Sequence, residues 1–404
     1  MSKPIRCFGV GWHISHQFSL LQIPNTEWTY LINNIRPSWN TDVRPMPKNL
    51  KFTTYYQPGD HDIAIISIDQ QCVDPKIGKG QLYRDLNKTI QDIPKIVINH
   101  GTPYWEERWE AYGQGCWSLP VSMVNAKKDE IHKFQKQFLI EGGKTVEGGN
   151  LVEIEGMRKL VGDNTMVVNS HQAVKDWGWG IPIIHGLDPN DWWDLPKEPR
   201  AVVSLSPGGL DSYYGRPLLV SVREMIGERY GLKIIHIGSQ HDWTIERHPR
   251  FRELGGWGAY RDFLGRSLVY FNPTQESPMP RSRTEAMLSG CCVVTTPFQG
   301  ADTFINFDTR KIWEKSQGVK EYIKIVDSLL DTEGINGIII PNNPEPIAAL
   351  INHLIYNRYR TAIKIGKCGR ATAIRKFSKE RYESQWVKLI NDTLNNWRKN
   401  ESHL

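Results

Sequence analysis

The sequence predicts an α/β protein made of two doubly wound, Rossmann-like domains. Three observations carry this expectation. From the N-terminus onward, β-prone apolar runs alternate with polar or helical stretches, the pattern of a parallel sheet with crossover helices. The alternation pauses at Gly186 to Arg200 (GLDPNDWWDLPKEPR), a proline-rich and acidic segment, and then begins again. At 404 residues the chain is also longer than one core usually supports.

In the first series the expected strands are Ile5 to Val10, Asp62 to Ile68, Lys95 to Asn99, Met166 to Asn169 and Ile181 to Ile184. In the second they are Ala201 to Leu205, Lys233 to Ile237, Leu268 to Phe271, Cys292 to Thr295 and Gly337 to Ile340. Between them Pro217 to Tyr230 and Pro346 to Tyr356 read as helices, and Tyr359 to Trp397 reads as one long basic amphipathic helical region. The expected boundaries are residues 1–185 and 201–375 for the two domains, 186–200 for a linker, and 376–404 for a closing helix. Ligands of such domains bind past the carboxyl ends of the strands, here in a cleft between two facing sheets.

The stretch Asn272 to Pro297 (NPTQESPMPRSRTEAMLSGCCVVTTP) reads as loop, short helix, turn and buried strand. Ser282 with Glu285 has capping-box spacing, and Gly290 suits a left-handed helix exit. A helix N-terminus facing a loop is an anion site, because its first amides lack intrahelical partners. Arginines there (Arg281, Arg283) suit phosphate, and a carboxylate (Glu285) suits the vicinal hydroxyls of a sugar. The plain alternative is a capping box with solvated arginines. A second glycine-rich loop, SPGGLDSYYGRP, precedes a helix; its amides near Gly208 and Gly209 can meet an anion, with Arg216 as a diphosphate ligand. It lacks the GxxxxGK[ST] pattern of a P-loop.

The first strand ends in FGVGWHISH, where Gly9 and Gly11 permit close backbone approach to a ligand. Ile14 stands where GxGxxG needs a third glycine, so dinucleotide binding is weakly indicated. His100 follows the strand ending at Asn99 and points to a sugar hydroxyl or a reacting oxygen, or else caps the next turn. His13 and His16 have HxxH spacing but no companion ligand set for a metal.

Composition narrows the class. An apolar fraction of 39% and a charged fraction of 23% describe a globular protein, and no apolar run approaches a membrane span. The N-terminus lacks a signal-peptide apolar region, so the cytoplasm is the expected location. Six cysteines without a CxxC pair read as reduced thiols. A net charge of +6 permits a polyanionic partner without demanding one.

Taken together these residues resemble the GT-B glycosyltransferases, specifically the retaining family 4 group. ESPMPRSRTEAMLSGCCVVTT resembles that family's donor-site signature, INGIIIP its GxLVP segment, IIHGLDPNDW its entry into the linker, and KFSKERYESQWVKLI its closing helices, which cross back to the first domain. The resemblance implies an acceptor domain followed by a donor domain, and sugar transfer from a UDP- or GDP-sugar with retained configuration. It implies no required cofactor and no obligatory metal. Carried over residue by residue, it places His100, Arg216 and Glu276 at the chemistry. The donor would lie on Gly11, Gly208, Gly209, Ser277, Met279, Pro280, Arg281, Arg283, Thr284 and Glu285. One departure stands out. The family's two glutamates are usually separated by seven residues, whereas eight lie between Glu276 and Glu285, so Ser277 holds the expected register.

For the acceptor, the basic, aromatic-rich first domain permits a hydroxymethylated base in DNA, and its clustered tryptophans and HGTPYW run resemble phage-encoded glycosyltransferases, which implies the host cytoplasm as the location. Trp12, His13, Tyr104, Trp105 and Trp109 are the candidate stacking and binding residues. The competing readings are a cell-surface or lipid-linked glycan acceptor, and a non-catalytic nucleotide-sugar or DNA-binding module.

Overall fold

The structure is a computed structural model that describes residues 3–33, 38–74, 78–103, 149–199, 201–205, 215–230, 234–237, 248–274, 279–297 and 300–401. The chain divides into two compact units, Met1–Gly186 with Lys379–Leu404, and Leu187–Ser378.

Unit 1 is a seven-stranded sheet. Its strands are β1 (Ile5–Val10), β2 (Thr26–Leu31), β3 (Leu50–Thr53), β4 (Ile63–Ile68), β5 (Lys95–Asn99), β6 (Thr165–Val168) and β7 (Ile181–Pro182). They lie in the order β3-β2-β1-β4-β5-β6-β7, and every pairing is parallel. Crossovers include α1 (Ile14–Leu20), α2 (Gly78–Thr89), α3 (Gly149–Val161) and α4 (His171–Trp177). Both faces are covered, which is why the strands read as nearly continuous apolar runs. Phe8, Val10, Ala64, Ile66 and Val97 join one core, and Cys7, Ile63, Ile65, Ile96 and Ile98 join the other. The second core is completed by the C-terminal helix Lys379–Glu401, whose Tyr382, Trp386, Ile390 and Leu394 recur every four residues on one stripe.

Unit 2 is a six-stranded parallel sheet. Its strands are β8 (Val202–Leu205), β9 (Ile234–Ile237), β10 (Val269–Asn272), β11 (Cys292–Thr295), β12 (Phe307–Asp308) and β13 (Ile338–Ile339), in the order β12-β13-β11-β10-β8-β9. Its helices are α5 (Arg216–Tyr230), α6 (Phe251–Arg266), α7 (Arg281–Leu288), α8 (Arg310–Lys315), α9 (Val319–Leu329), α10 (Pro344–Tyr356) and α11 (Tyr359–Lys376). The expected helical region over Tyr359 to Trp397 comprises α11 and the C-terminal helix Lys379–Glu401. It breaks at Phe377, whose ring packs edge-on against Phe304 at 5.1 Å. The segment after Gly186 packs on unit 2. Trp192 is buried there, and Lys197 donates to the carbonyls of Gly265 and Ser289. Among the described residues no helix is long and apolar enough to cross a membrane.

Helix α4 shows how local chemistry sets stability. The Ser170 hydroxyl accepts the Ala173 N–H at 3.0 Å and caps its start. Near its end Asp176 is buried, with the Gln172 amide donating to it at 2.8 Å. Burial pushes the Asp176 carboxyl up to about 6. The folded chain keeps this proton to about pH 6, whereas the unfolded chain releases it near pH 4. The stabilising contribution is thus complete below about pH 4 and lost as the pH rises through about 6. Asp176→Asn should stabilise the protein by about 1–3 kcal/mol at pH 8 and leave it unchanged below about pH 4. Denaturant midpoints at the two pH values check this; equal effects at both would refute it.

Candidate active site

A parallel sheet places every strand's carboxyl end on one edge, and a crevice opens where the strand order reverses. In unit 1 the reversal lies between β1 and β4, and in unit 2 between β8 and β10. Several of the sequence-selected residues that the structure describes lie near these two places.

In unit 1 His100 follows β5. Its Nε2 lies 3.1 Å from the Ser67 hydroxyl, and its Nδ1 lies 3.2 Å from Nδ2 of Asn169. With that amide so oriented, its N–H can only donate, so Nδ1 accepts and Nε2 carries the proton toward Ser67. Both ring nitrogens are thus engaged inside unit 1. The rings of His13 and His16 stand edge-on to His100 at 5.3 and 4.7 Å. His13 opens α1 as its N-cap, without a side-chain cap bond. Gly11 and Trp12 form the turn out of β1. The Trp12 N–H donates to Gln17 Oε1 at 2.7 Å, and its ring lies beneath Lys79, which pairs with Asp69 just past β4. The structure therefore gathers Trp12, His13 and His100. Tyr104, Trp105 and Trp109 lie outside the described residues.

In unit 2 the donor-loop helix differs from its expected start. Pro280 is the N-cap of α7 and makes no side-chain cap bond, so Ser282 lies inside the helix and the capping box does not form. The Ser282 hydroxyl instead accepts from Tyr270 at 2.8 Å. Glu285 is consequently released from capping. It is 3% exposed, with Oε1 accepting Arg281 Nε at 3.1 Å and Oε2 accepting the Tyr260 hydroxyl at 2.6 Å. Charge-assisted bonds of this kind are what hold a carboxylate in a buried position.

Arg283 faces the interior rather than solvent. Its guanidinium lies 4.8 Å over the Phe304 ring, 3.4 Å from the Thr295 hydroxyl and 4.0 Å from the Met279 sulfur. Burial lowers its pKa to about 10. Thr284 is fully buried beside it. The helix ends as expected at Gly290, with φ at 73°. Arg216 begins α5 one residue after Gly215, where φ is 72° and an added Cβ would stand 1.9 Å from the Pro273 carbonyl oxygen. That close approach ties the loop after β8 to the loop after β10, across the reversal point. Gly208, Gly209, Glu276 and Ser277 lie outside the described residues.

Both edges also carry buried polar atoms with no protein partner. These are Gln70 Oε1, Thr102 Oγ1 and Asn169 Oδ1 in unit 1, and Ser204 Oγ and Asn272 Oδ1 in unit 2. Buried polar groups are normally satisfied by protein or water, and atoms of this kind also occur away from the two edges, at Tyr83, His61 and Asn352 among others. Sequence reasoning missed Ser67, Asn169 and Tyr260. The rule that selected His100, a polar residue just past a strand, would also have selected Asn169. No motif marks Tyr260. Among the described residues no three His, Cys, Asp or Glu side chains group as a metal site.

No protein-family model and no curated protein matches the sequence. Solved structures do. The chain is similar to sucrose-phosphate synthase from Thermosynechococcus elongatus, with a TM-score of 0.57, 10% identity, and coverage of 97% of this chain and 100% of that one. It is similar to Anabaena HepE in complex with UDP-glucose, with a TM-score of 0.52, 12% identity, and coverage of 97% and 100%. Against TarM it spans 55% of that chain and 81% of its own, at 16% identity and a TM-score of 0.49. The first two likenesses, at low identity and full length, show the fold: it is GT-B, with two Rossmann-like units.

The approach at Gly215 can be tested directly. Gly215→Ala should destabilise unit 2 by well over the ~1 kcal/mol that a positive φ alone costs an alanine. Gly334→Ala is the control, since φ there is 83° but nothing lies within 4 Å of the new Cβ. Equal losses in a thermal melt would show that the approach to Pro273 does not constrain the loop.

Proposed function

We propose that this protein is a glycosyltransferase that moves a sugar from a UDP- or GDP-sugar to a hydroxyl acceptor, retaining the anomeric configuration and needing no metal. The observation that carries the reading is the Glu285 carboxylate. It is held in the second turn of α7, the helix that follows β10 beside the reversal point of unit 2, within the stretch that resembles the family 4 donor signature. The likeness to a sucrose-phosphate synthase and to a structure containing UDP-glucose supports it.

In this reading Glu285 accepts the ribose hydroxyls. The departing diphosphate gathers negative charge, which Arg216 and the first-turn amides of α7 stabilise as it develops. Arg281 stands at that same turn, and buried Arg283 supports it from beneath, between Phe304 and Thr295. His100 is the sugar-side residue of unit 1 and reaches a hydroxyl by exchanging its bond to Ser67. A hydroxymethylated DNA base is the acceptor we test first, because the basic balance of +6 suits a polyanion.

Glu285→Gln should weaken UDP or GDP binding roughly tenfold by calorimetry, because hydrogen bonds to a charged acceptor are lost. Arg216→Ala should lower turnover more than binding, and EDTA should leave activity intact. Unchanged kinetics in both variants would overturn the assignment. Mass spectrometry of hydroxymethylcytosine DNA and of glycan acceptors, each incubated with enzyme and donor, decides the acceptor. A protein that binds a nucleotide sugar but never releases free sugar from it would be a binding module.

A further inference from the structure

We infer that Tyr260 is a positioning residue, one that sets the Glu285 carboxylate for recognition of the donor ribose; this rests on the reading of Glu285 given above. Tyr260 lies on α6, 25 residues before Glu285, and its hydroxyl donates to Oε2 at 2.6 Å. Arg281 holds the other oxygen. The two donors come from different elements, so they fix the plane of the carboxylate as well as its place. The bond from Tyr260 restrains the carboxylate's last torsion, which is broad and soft in itself.

The Tyr260 ring is itself immobilised. The ring of Trp192, which is 3% exposed, stands 5.9 Å from it, and the ring of Trp257 stands 6.1 Å away. Trp192 and Trp257 pack edge-on at 5.2 Å. The Arg261 guanidinium lies over Trp257 at 4.9 Å and over Trp193 at 4.2 Å. The tryptophan pair Trp192 and Trp193 thus straps α6 from outside. α6 passes that order inward through one hydroxyl. Precise placement matters because two vicinal hydroxyls can both donate to one carboxylate only in a narrow geometry.

The test compares a nucleoside diphosphate, UDP or GDP, with its 2′,3′-dideoxy counterpart. Binding constants are measured on the full chain for wild type, Tyr260→Phe, Glu285→Gln and the double variant. Tyr260→Phe keeps the ring and its packing, and an unchanged melting temperature confirms the fold. The expected result is a roughly fivefold loss for the ribose-bearing nucleotide and none for the dideoxy form. In the Glu285→Gln background, Tyr260→Phe should add nothing. If Tyr260→Phe keeps the wild-type preference for ribose, or weakens both nucleotides equally, the positioning role is wrong while the role of Glu285 stands. If wild type binds both nucleotides alike or neither, or if Glu285→Gln keeps the preference, the ribose assignment fails and the inference falls with it.

Discussion

Parallel pairing is the constraint on which the rest of this molecule depends. Adjacent parallel strands cannot be joined by a tight turn, so each strand must be followed by a crossover that returns the chain to the starting edge. All carboxyl ends then lie together, and residues far apart in sequence become neighbours. Ser67, His100 and Asn169 meet only because β4, β5 and β6 end side by side. Gly215 meets Pro273 for the same reason at β8 and β10. The strand-order reversal adds a gap between crossovers that leave in opposite directions. A polar ligand can enter there without breaking the sheet.

The charges at the edge of unit 2 are arranged in depth. Arg283 is sealed beneath α7 on an aromatic face and a hydroxyl, where a guanidinium retains its proton despite desolvation. Glu285 lies in the next layer, held by a phenol and a second guanidinium. Such an edge is organised before any ligand arrives. A ligand therefore meets fixed dipoles rather than side chains that must first be ordered, which lowers the entropic cost of binding.

Much of this was legible in the chain and some was not, for identifiable reasons. Ile5–Val10 and Lys95–Asn99 were read at their observed bounds, because each holds four consecutive buried residues, Cys7 to Val10 and Ile96 to Asn99, that read as a mostly apolar run. Thr26–Leu31 and Leu50–Thr53 escaped notice. Glu27 and Lys51 interrupt them, as suits strands nearer the sheet edge. The two-residue strand Phe307–Asp308 has no pattern to read. The capping box failed because Pro280 claims the N-cap, shifting the frame so that Glu285 faces α6. At the break between the last two helices Phe377 packs on Phe304, 73 residues away, a contact that no local pattern reveals. Glu285 itself stood out through its local motif, whereas Tyr260 functions only through a contact that folding creates.

The C-terminal helix imposes an order of events on the growing chain. Unit 1 lacks part of one core until Tyr382, Trp386, Ile390 and Leu394 have been made. All of Leu187–Ser378 is synthesised before them. Unit 2 can therefore mature on the ribosome while the earlier unit waits with one sheet face incompletely covered. Chains generally fold their N-terminal domain first. Here the unit begun first needs the residues made last to complete one of its cores.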